Sequence, residues 1–260
     1  MERWGAGEAY EAYVGRWSRQ VAAEFVSWLV VPPGARWLDV GCGTGAVTST
    51  VLRLAEPREV TGIDPAPGFV AHTARVLADP RTRIEVGDAQ ALSEPDGRFD
   101  AVVSGLVLNF VPNPSQAVAE MSRVTRPGGV VAFYVWDYAG EMQVMRHFWD
   151  AASALDPAAL ELDEGRRFPW CRAESLETLL REAGLQGVSS RAIDVATPFA
   201  SFDDYWTPFL GGQGPAPGYA MSLGEERRAA LRERIRSRLP VAADGSIDLI
   251  ARAWAVRGTR

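Results

Sequence analysis

The sequence predicts a doubly wound α/β protein, a parallel sheet with helices on both faces. Three observations carry that expectation. Residues Trp37-Leu38-Asp39-Val40-Gly41-Cys42-Gly43-Thr44-Gly45 read as a buried strand ending in an acid, followed by a glycine turn that opens into a helix. Strand-like and helix-like segments alternate as βα repeats through residue 136. A second acid, Asp64, closes the second strand about twenty residues beyond the glycines.

Each element has its own signal. Residues 6–30 read as one or two helices, with Phe25, Trp28 and Leu29 on an apolar face and Pro32-Pro33-Gly34 as the stop. Residues 36–40 form the first strand and 44–54 the first helix; 59–63 and 68–78 form the second pair. Residues 83–86 are a third strand. Residues 99–104 are a fourth, with the apolar run of a strand covered on both faces. Asn113 can cap the next helix, Pro114 suits its first turn and Gln116 sits where a capping box wants it. Arg126-Pro127-Gly128-Gly129 stops that helix, and residues 130–136 make the fifth strand.

Past Trp136 the rhythm changes. Residues 141–155 and 175–183 are helical, 188–195 a strand, and 198–219 an irregular stretch rich in aromatics, proline and glycine. Ser222-Leu223-Gly224-Glu225 reads as a capping box for a helix with Leu231, Ile235 and Leu239 inside. Residues 247–256 are the last strand. The expected division is a helical lid over 1–33, a cofactor-binding core over 34–136, and cap elements with the final strands over 137–260.

The glycine turn carries the chemistry. Glycines let the backbone turn sharply and let a ligand approach it closely. A turn built for pyrophosphate would avoid a carboxylate beside it, because the two anions repel. Asp39 followed by Gly-x-Gly-x-Gly, rather than Gly-x-Gly-x-x-Gly, points to a ligand of cationic character. S-adenosylmethionine carries a sulfonium and an ammonium and no phosphate. A nicotinamide-dependent dehydrogenase is disfavoured on the same grounds.

Composition narrows the field further. The 260 residues carry a net charge of -6, which argues against binding nucleic acid through its phosphates. All 27 Lys+Arg positions are arginine, so no lysine can serve as base, nucleophile or Schiff-base former. Cys42 and Cys171 have neither disulfide-framework nor metal spacing, so no metal is expected. The apolar runs are too short to span a bilayer, no signal-like segment is visible near the start, and a cytoplasmic setting is expected.

Together these signals resemble the class I S-adenosylmethionine-dependent methyltransferases, most closely the type 11 group related to the ubiquinone and menaquinone C-methyltransferases. The resemblance rests on Asp39–Gly45, Asp64, Gly87-Asp88-Ala89, Phe99-Asp100 leading to Ser104, and Arg126–Gly129, and it covers residues 34–136. It implies a mostly parallel seven-stranded sheet in the order 3-2-1-4-5-7-6, its last strand antiparallel, with helical cap elements from the N-terminus and from 137–246. It implies S-adenosylmethionine as cofactor and S-adenosylhomocysteine as product.

The resemblance also implies roles. Asp39 and the backbone of Gly41 and Gly43 hold the methionine part, Asp64 the ribose, Asp88 the adenine amine, and the Ala89 backbone a ring nitrogen. Pro65 and Phe69 pack on the adenine or ribose, and Ser104 lies among the cofactor contacts. Tyr13 and Arg16 are spaced to share a helical face of the lid, and Arg16 can grip a carboxylate in two-pronged fashion. Tyr13 is a candidate for both cofactor and acceptor. Asn109 lies where family members place a residue facing the transferred methyl. His147 is a candidate base, although Met142, Met145, Phe148, Trp149 and Ala152 mark the opposite face as the apolar one. The aromatic run Phe199, Phe202, Tyr205, Trp206 and Phe209 either walls an acceptor pocket or forms a satellite core.

The expected activity is therefore methyl transfer to carbon, oxygen or nitrogen of a small-molecule acceptor, without nucleic acid or membrane insertion. The alternatives are an RNA or protein methyltransferase and a non-catalytic cofactor-binding protein.

Overall fold

A computed structural model describes residues 15–212 and 214–260. Seven strands form one sheet: β1 (Arg36–Val40), β2 (Glu59–Asp64), β3 (Thr82–Val86), β4 (Phe99–Gly105), β5 (Thr125–Trp136), β6 (Gln186–Phe199) and β7 (Ile247–Thr259). Their spatial order is β3-β2-β1-β4-β5-β7-β6, as the sequence predicts. β1 to β5 pair in parallel. Gly128 donates to the Arg260 carbonyl and Asp137 to that of Arg252, so β7 runs antiparallel to β5. Strand order reverses between β1 and β4, and in such sheets the crevice at that reversal, at the carboxyl ends of the strands, is where ligands bind.

The helices are α1 (Arg16–Leu29), α2 (Ala46–Leu54), α3 (Pro67–Val76), α4 (Pro114–Val124), α5 (Gln143–Leu155), α6 (Glu164–Arg167), α7 (Ala173–Glu182), α8 (Phe202–Trp206), α9 (Pro215–Ser222) and α10 (Glu225–Arg236). Asn113 caps α4 by accepting from the Gln116 amide, with Pro114 in the first turn, as its sequence indicates.

Chain contacts divide the molecule into two compact units. The larger comprises residues 18–135, 170–193 and 253–260. Its core is built on Trp37, Leu38, Val102, Phe133 and Phe25, all fully buried, with the Phe25 and Tyr134 rings 4.8 Å apart. The smaller comprises 136–169 and 194–252 together with residues up to Trp17. Its core is aromatic: Phe148 and Phe209 stack at 4.6 Å, and Trp149, Tyr205 and Tyr219 pack around them. Each unit is assembled from separated stretches of chain.

The expected helical segment 6–30 is described from residue 15 onward, with α1 over Arg16–Leu29. Three local expectations change. β5 begins at Thr125 rather than at 130, because Arg126–Gly129 bulges within the strand while Gly128 and Gly129 pair with Arg260. The stretch 198–219 is ordered: β6 continues to Phe199, and α8, a 3-10 turn (Thr207–Gly211) and α9 follow. The box at 222–225 does not form, because the Ser222 hydroxyl donates back to the Tyr219 carbonyl and Gly224 caps α10 without a side chain. No helix among the described residues is long and apolar enough to cross a membrane.

Candidate active site

The glycine turn joins β1 to α2 at the carboxyl edge of the sheet. The amides of Gly41 and Cys42 both donate to the Ile63 carbonyl at 2.8 Å, which clamps the turn to the end of β2. Gly41 has φ +77°, and a Cβ there would lie 2.5 Å from the Val107 methyls, so both its conformation and its surroundings require glycine. A Cβ on Gly43 would meet nothing within 4 Å, so that part of the turn faces open space.

Two carboxylates flank the turn. Asp64 sits at the end of β2; its Oδ2 accepts the Gly43 amide at 3.0 Å and its Oδ1 the Ala66 amide at 2.9 Å. Each oxygen keeps a further lone pair for another donor. Burial pushes the Asp64 carboxyl above its ordinary range, against those two amides. Asp39 is only 1% exposed. Its Oδ2 accepts the Thr48 hydroxyl at 2.6 Å, and its Oδ1 is buried without a partner among the described residues. Burial pushes Asp39 up to about 7, opposed by Thr48 and reinforced by the charge of Asp64. Buried polar atoms in folded proteins are nearly always bonded, so an orphaned carboxylate oxygen beside an open glycine turn marks a place for a donor from outside.

Neighbouring strands bring the other candidates of this unit to the same edge. The Gly87 amide donates to the Asp64 carbonyl at 3.2 Å, which sets Asp88 and Ala89 just beyond β3. Asp88 is exposed and its Oδ1 accepts the Gln90 amide, while Ala89 is buried. Pro65 is exposed and Phe69 half-buried at the start of α3. Ser104, expected among the cofactor contacts, donates instead to the Val40 carbonyl at 2.7 Å, so its proton ties β4 to β1. Leu106, next after β4, holds φ +62°, a strained conformation for a non-glycine residue, and Asn109 follows in a buried 3-10 turn.

Two threonines that sequence reasoning passed over brace the turn. Thr48 holds Asp39, and the Thr73 hydroxyl on α3 donates to the Gly43 carbonyl at 2.6 Å. Both are fully buried. Their helical spacing alone carries no signal, and only their placement against the turn reveals them. Cys42 is buried here too; desolvation, then the charges of Asp39 and Asp64, push its thiol up and keep it neutral.

The smaller unit holds the remaining candidates. Tyr13 lies outside the described residues. The Arg16 guanidinium sits over the Trp17 ring at 4.3 Å and the Phe199 ring at 4.9 Å, with Asp204 at 3.5 Å from Nη1. Its Nε and Nη2 are buried without partners among the described residues. His147 is half-buried on α5, and burial lowers its pKa, with Asp150 opposing and Arg238 adding to the shift. Asp137 accepts the Glu141 amide at 2.9 Å as a turn cap. The aromatic run 199–209 is packed core: Tyr205 and Phe209 are 1% and 0% exposed, and the Tyr205 hydroxyl donates to the Val144 carbonyl. Among the described residues no cluster of His, Cys, Asp or Glu is placed to hold a metal ion.

Parts of the chain are similar to known proteins. Residues 38–133 match a family model described as a methyltransferase domain. The chain is 36% identical over 121 residues to 2-methyl-6-phytyl-1,4-hydroquinone methyltransferase from Synechocystis, a match covering 46% of this chain and 38% of that one. It is 38% identical over 128 residues to a thiol S-methyltransferase from Homo sapiens, covering 46% of this chain and 49% of that one. These matches thus span less than half the length of either curated relative. In fold it is similar to the Haemonchus contortus phosphoethanolamine N-methyltransferase 2 solved with S-adenosyl-L-methionine, with a TM-score of 0.60 at 15% identity over 96% of this chain and 56% of that one. Residues 38–133 are therefore similar to methyltransferase domains, and they lie in a sheet of order β3-β2-β1-β4-β5-β7-β6.

Proposed function

We propose that the protein transfers a methyl group from S-adenosylmethionine to a small-molecule acceptor, at carbon, oxygen or nitrogen. The observation that carries this reading is the orphaned Oδ1 of Asp39 beside the open glycine turn. A cation there satisfies a buried acceptor, whereas a pyrophosphate would be repelled by it. The cofactor fits the residues present: Asp39 and the backbone of Gly41 and Gly43 take its methionine part, and Asp64 has lone pairs left for the ribose hydroxyls. Asp88, the Ala89 backbone and Pro65 serve the adenosine end. Arg16 is the proposed partner of the cofactor carboxylate, by the two-pronged grip a guanidinium can make, and Tyr13 a further proposed cofactor and catalytic residue.

When bound, the cofactor supplies an electrophilic methyl group. The chain's own task is alignment in a site closed to water. Asn109 is the proposed positioning group toward the acceptor. His147, kept neutral by burial, is the proposed base where the acceptor carries a proton to remove. The hydroquinone specificity named for one relative and the quinone-methyltransferase resemblance favour an aromatic acceptor.

The test is incubation with methyl-labelled S-adenosylmethionine and a panel of phenols, hydroquinones, amines and carbon acids. Label is expected in one class. Tight cofactor binding with no label in any class would point to a non-catalytic binding protein instead.

A further inference from the structure

We propose that Thr48 is a positioning residue for Asp39: its hydroxyl pins one carboxylate oxygen so that the other faces the ammonium of the cofactor's amino-acid moiety. This rests on the cofactor reading above. The geometry is asymmetric. Oδ2 takes the Thr48 hydroxyl at 2.6 Å within the first turn of α2, and Oδ1 takes nothing. Thr48 is itself fully buried, so no water can replace its hydroxyl without rearrangement. A carboxylate pinned at one oxygen has lost its rotational freedom and presents the other in a fixed direction.

The protonation state follows from the surroundings. β2 presents Asp64 and the turn presents Cys42. At the same level α2 presents Thr48, and β4 pairs Val103 with Asp39. None of these is a cation. With no cation among these described groups, burial holds a proton on Asp39 in the free site up to about pH 7. An ammonium on Oδ1 favours the ionised carboxylate, so that proton leaves as the ligand enters. Thr48 is the group that most opposes protonation, so its loss moves the transition to higher pH.

Two probes separate the amino-acid end from the nucleoside end. S-adenosylhomocysteine carries the ammonium; 5′-methylthioadenosine lacks the whole amino-acid moiety. Calorimetric titrations compare wild type, Thr48→Val and Thr48→Ser between about pH 6 and about pH 8, in buffers of different ionisation enthalpy. In wild type, S-adenosylhomocysteine binds more tightly as pH rises and releases a proton, while 5′-methylthioadenosine binding is flat. Thr48→Val weakens S-adenosylhomocysteine about tenfold, the scale of one hydrogen bond to a charged group, and shifts its pH profile upward. Thr48→Ser restores both, and 5′-methylthioadenosine affinity stays constant throughout.

Unchanged S-adenosylhomocysteine affinity and pH profile in Thr48→Val would overturn the proposal. So would a parallel loss of both ligands that serine fails to rescue, which marks a structural role only. Wild-type protein that binds neither probe would overturn the cofactor reading and this inference with it.

Discussion

The buried carboxylates of Asp163 and Glu164 in the smaller unit and of Asp39 in the larger are held in opposite ways. In the smaller unit the buried charges are mostly saturated by the chain itself. Arg146 holds Asp163 through Nη1 at 2.9 Å and Nη2 at 2.7 Å, and also donates to the Tyr138 carbonyl. The Trp149 indole donates to Glu164, and the Tyr205 hydroxyl to Val144. In the larger unit Asp39 leaves an oxygen open and Asp64 keeps spare acceptor capacity, side by side at the carboxyl edge of the sheet. A polar group satisfied by its own chain specifies a fold; one left open in a buried place specifies a ligand. Among the described residues of the smaller unit, Arg16 Nε and Nη2, Trp17 Nε1 and Thr197 Oγ1 follow the second pattern.

Substitutions sharpen that contrast. The largest effect is expected from Phe209→Ala, which removes a fully buried ring from the stack on Phe148 and costs about 3–5 kcal/mol of stability. Chemical denaturation checks the loss, and calorimetry should find S-adenosylhomocysteine affinity retained; a lost affinity at intact fold would break the contrast. Asp64→Ala is expected to weaken S-adenosylhomocysteine by about 2–3 kcal/mol, because it removes the ribose acceptor and leaves the Gly43 and Ala66 amides unpaired. An unchanged titration would reassign that carboxylate. Gly41→Ala, forced against Val107 at positive φ, should cost about 1–3 kcal/mol of stability and distort the turn. Denaturation and cofactor titration should both register it.

The pH dependence of the free protein gives a smaller signal with a definite sign. Asp39 titrates near 7 folded and near 3.8 unfolded, so between those values the folded chain holds a proton that the unfolded chain has lost. This group's contribution therefore favours folding at the acid end and is withdrawn as pH rises toward 7. Melting curves of Asp39→Asn should lack that component, and identical pH profiles for variant and wild type would contradict the assignment. The smallest stability effect belongs to His147→Ala, under about 1 kcal/mol at a half-buried helix position. Turnover that persists undiminished in this variant removes His147 as a base.

Much of the larger unit was legible in the sequence because its signals are local. The strand, acid and glycines of residues 37–45 fold as they read, and Asn113 caps its helix as its position indicates. The misses arose where long-range contacts or a competing local hydrogen bond decide. The bulge at Arg126–Gly129 is set by pairing with Arg260, more than a hundred residues away. Ser222 belongs to the end of α9 rather than the start of α10, because a carbonyl three residues back captures its hydroxyl. The aromatic run 199–209 has no period that separates a pocket wall from a core, and only packing against Phe148 decides for the core. Thr48 and Thr73 are ordinary helical threonines until the turn is laid beside them.

The central claim is that the open carboxylate edge is built for a sulfonium nucleoside. Calorimetric titration of the wild-type chain with S-adenosylhomocysteine and, separately, with NAD tests it most directly. The account predicts saturable binding of S-adenosylhomocysteine and none of NAD; binding of NAD in its place would contradict it.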